Sequence, residues 1–408
     1  MFQQYMDQYA ELTVKVGVNI QPGQTLVVNA PLIAADFVRI VAKKAYQAGA
    51  KNVHIDWNDD RITRLKFDMA PKEAFEEYPM WRARGYEEMA EQGAAFLSIV
   101  ASNPDLLKGV DPDKIATANR TAGMAMQTYR NYIQADKVSW CVIAVPSPEW
   151  AAKVFPDLPA DEQVSKLWDA IFKATRADVE DPVQAWKDHN ATLDQKVDHL
   201  NKKRYKTLHY EAPGTNLSID LPDIHIWVSG GSVNQQGIPF VANIPTEEVF
   251  TTPLKDGVNG TVQSTKPLNY GGNVIENFSL TFEKGRIVSF TAETGYETLK
   301  RLIETDEGSH YLGEIALVPH QSPISNMNVI FYNTLFDENA SNHLAIGNAY
   351  AFCLEGGKTM TKEELEKNGA NASITHVDFM IGSAQMNIDG ETADGTREPI
   401  FRNGNWAF

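Results

Sequence analysis

The sequence predicts a mixed fold in two parts. An α/β domain with a parallel sheet is expected over residues 1–190. An antiparallel-rich α+β domain carrying a metal site is expected over 191–408. Three observations predict it. Residues 1–180 alternate amphipathic helical stretches with short apolar strands, the rhythm of a parallel layer. Beyond a polar helical stretch at 182–206, the pattern changes to period-two runs joined by turn residues, which reads as hairpins. The later strands also carry His, Glu and Asp among apolar neighbours, where unpaired charge is costly.

Taken in order, "YMDQYAELTVKVGV" has helical periodicity. "QTLVVNAP" is a strand, followed by the amphipathic helix "AADFVRIVAKKAYQAGAK" with Gly49 near its end. "NVHIDW", "AAFLSIVAS" and "KVSWCVIAVP" supply three further strands, with helical stretches between them that include "TANRTAGMAMQTYRNYIQAD". No glycine-rich phosphate loop follows any of these strands, and "VSGGSVNQQG" has the wrong spacing for one, which argues against dinucleotide binding. In the second part, "TLHYEAPGTNLSIDLP" reads as a hairpin around Pro-Gly, and "NFSLTFEKGRIVSFTAE" as a second around Glu-Lys-Gly. "DIHIWVSG", "FVANIP" and "EIALVP" add strands, and helices are expected at "YETLKRLIET" and "ENASNHLAIGNAYAFCLE".

Composition narrows the function classes. The 408 residues are 43% hydrophobic and 22% charged, with a net charge of −16. That balance argues against nucleic acid and anionic membranes as partners, since both reward clustered Lys and Arg. No stretch approaches the roughly 18 apolar residues of a membrane span, and the first residues lack the pattern of a signal peptide. A cytoplasmic protein is the expectation. Cys141 and Cys353 are the two cysteines, far apart in apolar contexts, and read as buried thiols in a reducing compartment. A metal site here must therefore use His and carboxylates.

The residues suited to such a site are few. In "ASITHVDFMIG", His376 and Asp378 lie two apart, so on a strand they share a face. In "DENASNHLAIGNAYAF", Asp337, Glu338 and Asn339 read as the start of a helix. His343, Gly347 and Tyr350 would then fall on one helical face at i, i+4 and i+7. Glu314 enters the apolar strand "GEIALVP", and Glu247 and Glu248 sit in "NIPTEEVFTTP". Alternation lets only one of that pair face inward, and the residues themselves do not say which. Glu248, Glu314, His343, His376 and Asp378 together make a nitrogen and oxygen ligand set without thiolate. Such a set suits zinc, cobalt or manganese, and five ligands suit two ions sharing a bridging carboxylate. Among the other histidines, His54, His189, His199, His209 and His225 read as structural. Arg120 and Arg130 fall on one predicted helical region and read as surface charge, with a cleft as the alternative.

"NIPTEEVFTTP", "GEIALVP", "DENASNHLAIGNAY" and "HVDFMIGS", in this order and spacing, closely resemble the thermophilic-type metalloaminopeptidases. "FDENA", "NGTV", "FEKGRIV", "AYQAGAKNV" and "SPEWAAKVF" extend the resemblance over nearly the whole chain. The resemblance implies an N-terminal α/β domain, a C-terminal domain with two divalent ions (zinc, cobalt, manganese or magnesium), a homodimer, and release of N-terminal amino acids from peptides. By position it puts metal ligands on Glu248, Glu314, His343, His376 and Asp378, choosing Glu248 over Glu247, and an active-site tyrosine on Tyr350. The expected chemistry is metal-assisted hydrolysis, with Glu314 as bridging ligand or base, Glu247 as a weaker candidate base, and Tyr350 as hydrogen-bond donor to the oxyanion or as a ligand. The same ligands would serve a hydrolase of non-peptide amides or esters. A binding protein with a structural metal would instead show a filled coordination sphere and no turnover.

Overall fold

The computed structural model describes residues 1–101 and 103–408; Ser102, the last residue of the expected third strand, lies outside them. The chain forms two compact units. One comprises Met1–Ala191 with Gly230–Thr246, and the other Thr192–Ser229 with Glu247–Phe408. The segment Gly230–Thr246 folds with the first unit although it lies beyond residue 190.

The first unit is built on a parallel sheet of Thr25–Pro31, Asn52–Asn58, Ala95–Val100 and Trp140–Ala144, which we label β1 to β4. Their order across the sheet is β2-β1-β3-β4, and every pairing is parallel. β1 and β3 are apolar nearly throughout, as strands buried on both faces must be. The helix Ala35–Gln47 buries Phe37, Val38, Val41 and Ala45, a stripe at helical spacing. It ends before Gly49, whose φ of 96° only glycine adopts freely. The stretch expected as one helix around 117–136 is two, Pro112–Ala125 and Gln127–Gln134.

The second unit is built mainly on two antiparallel sheets, with a two-stranded ladder of Leu268–Tyr270 and Asn273–Ile275 besides. An eight-stranded sheet runs in the order Arg286–Thr291, Ser279–Glu283, Val258–Gln263, Thr215–Asp220, Thr207–Ala212, Asn387–Glu391, Arg397–Arg402 and Asn405–Trp406. It contains both expected hairpins. The second turns at Lys284 and Gly285, both with positive φ, and a register shift lies within its strands. A five-stranded sheet has the order His376–Met380, His343–Gly347, Leu312–Leu317, Val249–Thr251 and Val228–Ser229. The main core of this unit joins the two sheets: Leu208, Tyr210, Leu217 and Val262 of the larger meet Ile315, Leu317, Leu344 and Phe379 of the smaller. Burial of these side chains contributes on the order of 2 kcal/mol each.

The helix expected to carry His343, Gly347 and Tyr350 on one face does not form. A single helical turn, Thr334–Asp337, is capped by the Asn333 side chain, which accepts from the Leu335 amide, and a 3-10 turn, Glu338–Ala340, ends it. The chain then extends, and His343–Gly347 becomes a strand between its two neighbours. The reason lies in "HLAIG" itself. Leu344 and Ile346 alternate with His343, Ala345 and Gly347, which is period two, and the apolar pair fills the core between the sheets. So short a run satisfies both periods, and sheet pairing decides between them.

Candidate metal centre

The five-stranded sheet has one face committed to the core. Leu312, Ile315, Leu317, Leu344, Ile346 and Phe379 point into it, and Val377 packs against it. By alternation, Glu314, Ala316, His343, Ala345, His376 and Asp378 stand on the other face. Register aligns them: Glu314 lies opposite Ala345 and Ala345 opposite Asp378, while His343 lies opposite Ala316 and His376 opposite Gly347. The small side chains of Ala345 and Ala316 leave space above the sheet for the longer polar ones.

Leu312 and Glu314 are two residues apart, yet one faces the core and the other the opposite side. A register shift between them explains it. Leu312 pairs with Ile346 and Glu314 with Ala345, so Gly313 is an extra residue in the strand, a β-bulge. A Cβ at Gly313 would stand 2.2 Å from the Asn348 carbonyl oxygen, so the bulge admits only glycine without rearrangement. This device turns Glu314 out of a core its neighbours fill.

The structure brings the five sequence-predicted side chains together. His343 Nε2 lies 3.0 Å from Glu248 Oε2 and 3.7 Å from Glu314 Oε1. His376 Nε2 lies 3.3 Å from Glu314 Oε2 and 3.5 Å from Asp378 Oδ1. Two overlapping triads result, Glu248–Glu314–His343 and Glu314–His376–Asp378, each with its donor atoms within 4.8 Å of one another. Glu314 belongs to both and offers a different oxygen to each imidazole.

Both imidazoles are oriented from behind. His343 Nδ1 lies 3.0 Å from the Glu338 carbonyl and 3.1 Å from that of Ser341, and His376 Nδ1 lies 2.7 Å from the Asn348 carbonyl. Because carbonyl oxygens only accept, Nδ1 carries the proton in each ring and Nε2 is turned to the centre, as in a metal-binding histidine. Glu248 and Glu247 are both buried. Only the Glu248 carboxylate meets His343, whereas the Glu247 backbone amide donates to Asn339 Oδ1 at 2.7 Å.

Glu338 is the residue that sequence reasoning missed. Its position before an apolar run suggested a helix start. In the structure it is buried, and burial together with the charges of Asp378 and Glu248 raises its pKa well above the ordinary carboxylate range. Its local signal, an acid in "FDENA", does not differ from that of a capping residue; only the strand that follows turns it toward the cluster. The Tyr350 ring lies 4.6 Å from that of His376 and stacks on Phe352 at 5.1 Å. Burial, then the charges of Glu314 and Asp378, push its hydroxyl pKa well up, so the phenol stays protonated. Arg120 and Arg130 are exposed on the two consecutive helices of the first unit.

The electrostatics fit a cation centre. Among the described residues no lysine or arginine pairs with Glu248, Glu314, Glu338 or Asp378, and Asp378 Oδ1 is buried with no hydrogen-bond partner. Burial lowers the imidazole pKa values, but the carboxylates outweigh it. Glu248 and Glu314 raise His343, and Asp378 and Glu314 raise His376. A divalent cation bound there would take the place of protons on Nε2, with each heteroatom facing the centre as an electron-pair donor. Oxygen and imidazole donors without thiolate are the set for zinc, cobalt, manganese or magnesium.

Comparison with known proteins agrees with this geometry. The family model described as thermophilic metalloprotease (M29) matches residues 2–406. "Aminopeptidase AmpS" of Bacillus subtilis (strain 168) is 63% identical over 407 residues, covering 100% of this chain and 99% of the relative. "Aminopeptidase T" of Thermus thermophilus is 42% identical over 405 residues, covering 99% of each. The solved structure "Wild-type AmpT from Thermus thermophilus" superposes with a TM-score of 0.93 at 40% identity, covering 100% of both chains. A buried, thiolate-free cluster of His, Glu and Asp on a chain matched from end to end makes this protein a member of the thermophilic metalloprotease (M29) family.

Proposed function

We propose that the chain is a metal-dependent aminopeptidase that removes N-terminal amino acids from peptides, with catalysis carried by the second unit. The observation behind this reading is Glu314, whose two oxygens face two different imidazoles. Glu248 and His343 would hold one divalent ion, His376 and Asp378 the other, with Glu314 bridging. Bound there, the ions supply Lewis acidity that lowers the pKa of water and polarises the scissile carbonyl. Glu248, Glu314, Asp378 and Glu338, all ionised beside bound cations, would balance the charge of two divalent ions.

The remaining steps belong to the protein. Both Glu314 oxygens face imidazoles, so Glu338, held ionised beside bound cations, is the carboxylate that would accept the proton of the attacking water and pass it to the leaving amine. Tyr350 keeps its proton and donates a hydrogen bond to the oxyanion. Nδ1 of His343 and of His376, fixed on backbone carbonyls, hold both rings in place through the cycle. Zinc, cobalt, manganese or magnesium as the ion, a homodimer as the working form and a cytoplasmic setting belong to the same proposal.

Metal analysis of the purified protein, combined with assays on aminoacyl-anilides and short peptides, tests it. About two divalent ions per chain are expected. Chelation should abolish release of the N-terminal residue, and added metal should restore it. Turnover unaffected by chelation, or confined to amides that lack a free α-amine, would overturn the reading.

A further inference from the structure

The first unit contains a cavity of about 180 Å³ lined by none of the metal-centre residues. Its floor is one face of the parallel sheet: Val27 and Asn29 of β1 and Phe96 and Ser98 of β3, with Val27 in register with Phe96 and Asn29 with Ser98. Asn29 and Ser98 lie toward the carboxyl ends of their strands. In the order β2-β1-β3-β4 the chain leaves β1 toward one edge and returns as β3 on the other side. The cavity therefore sits at the topological switch point, the position where open parallel sheets bind ligands.

The walls define what fits. Tyr86 and Tyr129 close over Phe96, with the Tyr129 ring centred 5.0 Å from each of the other two and edge-on to both. The volume is close to that of an apolar cavity that accepts one benzene ring, about 150 Å³. It is below the range of about 300 Å³ and upward in which larger ligands bind. No glycine-rich loop follows β1, where the sequence reads "NAPLIAADF", so a nucleotide phosphate finds no cradle.

Polar groups converge at the same place. The Asn29 Oδ1 accepts from Asn58 at 2.9 Å, which fixes the amide and leaves its Nδ2 for another partner. Ser98 brings a hydroxyl beside it. Arg82 approaches Asp56 Oδ2 with Nε at 2.7 Å and Nη2 at 2.6 Å, and the Tyr86 hydroxyl donates to the same oxygen at 2.8 Å. One edge of the guanidinium is thus committed and the Nη1 side remains. Asp56 offsets the Arg82 charge from outside the lining, so the pocket suits one carboxylate better than a doubly charged anion such as phosphate.

We infer that this pocket is a second binding site, separate from the metal centre, for a small aromatic carboxylate. The ring lies among Tyr86, Phe96 and Tyr129, and the carboxylate meets Asn29, Ser98 and the Nη1 edge of Arg82. Binding there stands apart from the hydrolytic reading, because the pocket and the metal centre are built from different residues of different units.

The test uses full-length, metal-loaded protein labelled with ¹³C on the methionine methyl groups. Met126 lines the pocket, and its resonance is identified with Met126→Leu. Benzoate should shift that resonance saturably, with a dissociation constant on the order of 1 mM. The shift should persist after chelation. Ser98→Leu and Asn29→Leu, each checked for an unchanged melting temperature, should weaken binding by about tenfold, the effect of losing one hydrogen bond to a charged group. No Met126 shift in the wild-type chain overturns the site. A shift lost on chelation assigns binding to the metal centre and overturns it as well. An equal response to toluene, unaffected by either substitution, leaves only an apolar void.

Discussion

At the scale of single residues, the proposed mechanism divides the work between Glu314 and Glu338, and one pair of substitutions separates them. Glu314→Gln removes the charge shared by both triads, so it should lose metal together with activity. Glu338→Gln should keep bound metal and KM close to wild type while kcat falls by about 10³-fold, the size of a general-base contribution. Metal content measured beside kcat and KM checks both. A Glu338→Gln protein that loses metal as Glu314→Gln does would make Glu338 a ligand. The two residues also differ in how they could be read. His376 and Asp378 declare a shared face by their spacing alone, and Glu314 stands out because its strand is otherwise apolar. Glu338 carries no such contrast: an acid beside an Asp and an Asn is what a helix start looks like. Its place beside the cluster follows from the pairing of His343–Gly347 with strands distant in sequence, 312–317 and 376–380, and no local rule reaches that far.

At the scale of elements, the bulge at Gly313 decides whether the cluster exists. Without it, Leu312 and Glu314 would share a face, and either a leucine would leave the core or a carboxylate would enter it. Gly313→Ala forces a Cβ against the backbone of Asn348 and Gly347. Backbone cannot yield as a side-chain tip can, so the substitution should cost about 3 kcal/mol, the upper part of the usual overpacking range. It should also displace Glu314. Thermal melting and metal titration check this: melting temperature and metal affinity should fall together, whereas a lower melting temperature with full metal affinity would mean that the bulge only packs. The parallel sheet, both hairpins and the helix Tyr296–Ile303 were legible because each shows a single period over its length or a turn with a fixed chemistry. The stretch 343–350 misled because an imidazole and a phenol seven apart fit a helix, while the alternation of Leu344 and Ile346 fits a strand. The stronger signal was the apolar pair, since core burial outweighs the placement of two polar rings.

At the scale of the whole molecule, the net charge of −16 has a local counterpart in three buried carboxylates and the half-buried Asp378, without a lysine or arginine partner among the described residues. Such a cluster stores repulsion in the second unit that bound cations relieve. Metal binding to the folded state alone stabilises it by about 4 kcal/mol when free metal exceeds the dissociation constant a thousandfold. The proposed ligands come from the strands 312–317, 343–347 and 376–380 and from the segment before 249, so the expected gain is spread over the five-stranded sheet and belongs to one unit. Hydrogen exchange read by mass spectrometry, with and without chelator, should show this partition. Peptides covering 244–251, 312–317, 334–350 and 374–382 should lose protection when the metal is removed and regain it when metal returns. Peptides covering 25–31 and 95–100, in the parallel sheet, should exchange at the same rate in both conditions. Equal loss of protection in both units would mean that the metal holds the whole chain together, and the assignment of the centre to a single folding unit would fail.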